Sequence, residues 1–119
     1  MDYQAVNKVI IKKLQEELPA HLPYHSVAHV LDVIESTIQI AAGEGVSGVA
    51  LVLLKTAALF HDTGFLFGAK EHEQKSCEIA ETYLPDFGYD QAQINTIKGM
   101  IMATKIPQTP NNHLEQILA

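Results

Sequence analysis

Between Val49 and Phe60 the chain is apolar almost all the way round a helical turn, and this stretch ends abruptly at His61-Asp62-Thr63-Gly64. A helix with no polar face cannot lie on a surface, so it must sit in the middle of the domain with other elements packed around it. It is not a membrane span. Its purest run, Val49 to Leu54, stops at Lys55, far short of the roughly 18 residues such a span needs. The surrounding elements are predicted to be helices as well. Residues 3 to 18 place Val6, Val9, Ile10, Ile11, Leu14 and Leu18 at three- and four-residue spacing, with Lys12, Lys13, Glu16 and Glu17 on the other side, and Pro19 ends the pattern. A second amphipathic pattern begins around Ser26, a potential cap, and carries Val30, Val33, Ile34, Ile38 and Ile40 to Gly43, where Gly-Glu-Gly-Val-Ser-Gly makes a turn. Residues 71 to 84 form a further helix closed by Pro85. Asp90 with Gln93 makes a capping box for a helix reaching about Ala103, and Thr109-Pro110 offers a cap and a first-turn proline for one more from Asn111. No segment alternates like a strand. The expected fold is all-α, with five to six helices.

With 119 residues and 47% hydrophobic content, the expectation is a single domain over 1–119. A chain of this length buries roughly two-thirds of its unfolded surface, so its core requires neither disulfides nor a structural metal. A bound metal would therefore serve chemistry. The last helix is cut short at Leu118-Ala119, with no closing glycine or basic residue, so the domain reads as incomplete at its C-terminus. Fourteen acidic against eight basic residues give a net charge of −6, and the lysines are scattered, which disfavours nucleic acid as a partner. The N-terminus lacks the features of a secretory signal. One cysteine, Cys77, excludes an intrachain disulfide and fits a reducing compartment, making the cytoplasm the default expectation.

The compositional oddity is six histidines and no tryptophan. His25 and His29 stand four apart at the start of a helix, a spacing at which two imidazoles can reach one centre. Ser26 occupies the position where a zinc protease would need glutamate, so that reading fails. Taken alone, the pair reads more readily as histidines that merely hydrogen-bond at a helix start. His61-Asp62 is more demanding, because ionisable groups at the end of so apolar a helix are costly unless paired or bound to a cation. A solvent-facing helix-end pair is the alternative. The 32 residues from His29 to His61 accommodate a helix, a turn and a returning helix, which brings both to one end of an antiparallel pair. A set of His29, His61 and Asp62 suits Mn, Fe, Co, Ni or Zn better than calcium.

These residues carry a resemblance. His29 followed by His61-Asp62 in Ala-Ala-Leu-Phe-His-Asp-Thr-Gly resembles the HD-domain superfamily of metal-dependent phosphohydrolases. Tyr24-His25-Ser-Val-Ala-His29-Val-Leu-Asp32-Val33 is similar to the opening signature of cyclic-nucleotide phosphodiesterases, distant members of that superfamily. The likeness runs from about Leu22 onward. It implies an HD-domain-like helical bundle, a divalent ion (Mn, Fe, Co, Ni, Zn or Mg) held by His29, His61 and Asp62, and hydrolysis of a small, nucleotide-like phosphate ester by water activated on that ion. His25 then matches the histidine that protonates the leaving alkoxide, with Asp62 sharing the catalytic role through the metal. His72 is the candidate for a second metal or the substrate phosphate, and Lys105 lies where superfamily members put phosphate-facing groups. For both there is a plainer reading, an exposed first turn for His72 and a helix-dipole partner for Lys105.

The chain departs from the family at one ligand, an aspartate on a later helix. No aspartate follows Asp90, and the resemblance places the missing one just beyond Ala119. Cys77, flanked by Ser76 and Glu78, reads as packing; His21 and His113 read as surface residues. The competing function is a catalytically silent module that binds a nucleotide or a protein. An apolar surface of Leu114, Ile117 and Leu118 at the cut end would invite a homodimer.

Overall fold

The computed structural model describes residues 1–17, 27–67, 71–104 and 113–118. Among them are six α-helices and no strand: α1 (Tyr3–Glu17), α2 (Val27–Gly43), α3 (Gly48–Phe60), α4 (His72–Tyr83), α5 (Gln91–Ala103) and α6 (His113–Leu118). Two 3-10 turns, Thr63–Phe67 and Leu84–Phe87, link α3 to α4 and α4 to α5. The all-α expectation holds, with helix ends within a residue or two of those predicted.

α3 organises the rest. Its first turn is open to solvent, with Val49 59% exposed, while Leu54 and Ala57 through Phe60 are wholly buried. Every other helix packs against it. α1 contributes Val6, Ile10 and Leu14, spaced four apart along one stripe, and leaves Val9 outside. Lys55 is accommodated on the buried helix because its ammonium lies 4.4 Å from the centre of the Tyr3 ring, a favourable site for a cation that still reaches water. Thr56 is fully buried, and its hydroxyl is satisfied by the Val52 carbonyl and the Tyr89 hydroxyl, both at 2.7 Å.

α2 buries Val30, Ile34, Thr37 and Ala41, which differs from the predicted stripe. Ile40 lies about 100° round the helix from Ala41 and is exposed. The chain reverses after α2 through Gly45, at φ 73°, while the Val46 amide donates to the Ala41 carbonyl at 2.8 Å. α5 starts with the predicted capping box: the Gln93 amide donates to Asp90 at 2.8 Å, and the Asp90 amide donates to the Gln93 side chain at 2.9 Å. The result places the start of α2, the end of α3 and the start of α4 together.

Candidate metal centre

His61 and Asp62 leave the C-terminal end of α3, the most buried helix, and both are themselves buried. His29 comes from the first turns of α2 and is partly open to solvent. His29 Nε2 lies 3.6 Å and His61 Nε2 3.1 Å from Asp62 Oδ2. One donor atom from each of the three residues falls within 4.8 Å of the other two. The predicted antiparallel return of α3 along α2 thus brings together residues 32 apart in sequence.

The spacing fits a cation. Bonds of about 2.0–2.2 Å from a tetrahedral ion separate its donors by about 3.3–3.6 Å; the His29–Asp62 pair lies at the upper end of that range and the His61–Asp62 pair, at 3.1 Å, slightly inside it. The tautomer fits as well. His61 Nδ1 is 2.6 Å from the Ala58 carbonyl, which can only accept, so Nδ1 carries the hydrogen and Nε2 turns towards Asp62. In the metal-free chain, burial pushes the His61 pKa down. The Asp62 carboxylate and the Ala58 carbonyl outweigh it and raise the value above the ordinary one. A proton on Nε2 and a divalent ion would compete for the same lone pair, the one turned towards Asp62.

The second oxygen of Asp62 faces elsewhere. His72, at the start of α4, brings Nε2 to 3.6 Å from Asp62 Oδ1 and to 2.8 Å from Glu73 Oε2. His72 is therefore not an exposed first-turn residue, and Glu73 is buried beside it. Sequence reasoning placed His72 here and passed over Glu73, whose only local signal is its position next to that histidine. The expected roles of His25 and Lys105 fall outside the described residues, as does that of His21. Cys77 is buried as expected; burial pushes its thiol up to about 11, and Sγ donates to the Lys98 carbonyl at 3.6 Å.

A shallow groove of about 400 Å³ leads away from His29. Asp32 and Ser36 line it from α2 on the polar side, and Val33, Ile40, Ile117 and Leu118 supply apolar wall from α2 and α6.

The crystal structure of a predicted HD superfamily hydrolase from an uncultured Thermotogales bacterium superposes on this fold with a TM-score of 0.78 and 25% sequence identity. The chain carries the HD-superfamily fold. The likeness covers 93% of this chain and 63% of the Thermotogales chain, so the protein spans somewhat under two-thirds of that relative's length. Neither a family model nor a curated protein matches the sequence. The HD fold accounts for the organisation seen here, with a buried helix delivering His61-Asp62 to a histidine on the preceding helix.

Proposed function

We propose that the protein is a metal-dependent phosphohydrolase acting on a small, nucleotide-like phosphate ester. The observation that carries this reading is the convergence of His29, His61 and Asp62 on one point beside an open groove. Buried imidazole and carboxylate facing each other at an apolar helix end are costly to maintain without an ion or a reaction to serve. His29, His61 and Asp62 would hold a divalent ion of the Mn, Fe, Co, Ni, Zn or Mg group. When bound, that ion supplies water activated near neutral pH and a Lewis acid for a phosphoryl oxygen.

The chain's own groups do the rest. Asp62 orients the two imidazoles through Oδ2, and the Ala58 carbonyl keeps the His61 ring from turning. His72, held beside Glu73 on the Oδ1 side of Asp62, would meet the substrate phosphate. The groove beyond His29 would take the organic part of the ester, with apolar wall on one side and hydrogen-bonding groups at Asp32 and Ser36 on the other. In the same reading His25 protonates the leaving oxygen and Lys105 offsets phosphate charge. The protein would act in the cytoplasm on a small phosphorylated molecule, with neither nucleic acid nor membrane as partner and with a homodimer as its assembly.

The test is turnover of a panel of phosphate esters with Mn, Fe, Co or Ni supplied, in the parent chain and in His61→Ala and Asp62→Ala. Metal-dependent hydrolysis lost in both variants supports the reading. Hydrolysis unchanged in both removes it. A parent chain that binds metal and nucleotide without turnover would instead favour the silent binding module.

A further inference from the structure

Ser76 lies on α4, one helical turn beyond His72 and Glu73, and none of it reaches solvent. Its hydroxyl donates to the His61 carbonyl at 2.9 Å and accepts from the Gly64 amide at 2.8 Å. One oxygen atom therefore closes both ends of the four-residue turn that carries Asp62. Gly64 is part of the same closure, because a Cβ there would fall onto the backbone carbonyl of His72. No residue other than glycine allows the turn and the start of α4 to approach so closely. On the other side of the turn, the Thr63 hydroxyl donates to the Phe60 carbonyl at 2.7 Å.

We infer that Ser76 is a positioning residue for the candidate metal centre: through its two hydrogen bonds it fixes Asp62 between the histidines of α2 and α3 and the His72–Glu73 pair of α4. The inference rests on the metal-binding reading above. Ser76 touches neither Asp62 nor the ion position, and it acts through the backbone on either side of Asp62. Metal bonds tolerate displacements of only about 0.2 Å, so a turn free to relax by a few tenths of an ångström weakens the site before it unfolds the protein. An alanine at 76 would leave the His61 carbonyl and the Gly64 amide without this partner in a dry environment, and relaxation of the turn is their route to new ones.

The experiment is titration of the metal-free protein with cobalt(II), followed by calorimetry and by the visible absorption of the bound ion. It compares the parent chain with Ser76→Ala, Ser76→Cys and the control Thr56→Val. Thr56→Val removes a buried hydroxyl bond of the same kind, to Tyr89, five residues before His61 on α3 and touching none of the groups of the turn, so it should lower Tm and leave cobalt affinity and spectrum unchanged. Ser76→Ala is expected to weaken cobalt binding about 10–100-fold and to change the ligand-field bands. Ser76→Cys keeps the side chain's shape with a weaker donor and acceptor, so an intermediate loss is expected; it decides the matter should the alanine variant fail to fold. Cobalt binding as tight as in the parent chain, in every Ser76 variant that folds, overturns the inference while leaving the metal centre standing. A parent chain that takes up no cobalt overturns the metal reading itself, and this inference with it.

Discussion

Asp62 has two oxygens with two audiences: Oδ2 faces His29 and His61, and Oδ1 faces His72. A carboxylate buried at such a junction is stabilised where its oxygens meet nitrogens, and the metal-binding reading would account for imidazoles there rather than lysines. A ring nitrogen is able to give up its proton to an ion near neutral pH, whereas an ammonium is not. Cys77 shows the opposite use of burial. It is sealed into the core, and its thiol is pushed up to about 11 by burial, which the Lys98 ammonium only partly offsets. Native protein at pH 8 should therefore fail to react with an aromatic disulfide reagent on the timescale in which unfolded protein reacts completely, because only the thiolate attacks. Stoichiometric labelling of the folded chain within minutes would contradict that placement. The candidate ligands were legible from residue type and spacing; Ser76 was not, because its role depends on a turn 12 to 15 residues away.

At the scale of elements, what the sequence reveals depends on whether the signal is local. The capping box of α5 is written in two residues three apart, and both of its hydrogen bonds are present. Asp90→Ala should cost about 1 kcal/mol of unfolding free energy, read from urea denaturation, with no change in metal affinity, since it is the other end of α5, at Met102, that lines the surface beside Glu73. A cost of zero would mean the cap is redundant in the folded protein. The buried face of α2 was harder to read. Thr37 and Ala41, neither strongly apolar, are buried, while the larger Ile40 is exposed at the groove that Thr37 also lines. Hydrophobicity ranks Ile40 inside; helical geometry ranks it outside once Val30 and Ile34 have fixed the face. α4 buries Glu73 and Ser76 beside Cys77, Ile79 and Ala80 for a related reason: its inner surface serves the site at one end and the core at the other.

For the molecule as a whole, α3 joins fold and site. Its apolar length is held by all the other described helices, and its end delivers two ionisable residues to the place where α2 and α4 begin. The core of α3 and α5, from Leu54 and Phe60 to Ile97 and Met100, owes nothing to an ion, so architecture and chemistry are separable. The sequence made the architecture legible because a helix without a polar face can only be central. It also made the juxtaposition of His29 with His61 legible, because a helix, a turn and a return of known rise bring the ends level. The groove beside His29 was not legible, because it arises from how α2 and α6 meet rather than from any motif in either.

The most direct measurement is a crystal of the protein grown with manganese(II) and examined by anomalous diffraction. The account predicts a single strong anomalous peak about 2.0–2.3 Å from His29 Nε2, His61 Nε2 and a carboxylate oxygen of Asp62, absent in Asp62→Ala. No peak between these three residues, or one unaffected by that substitution, would contradict it.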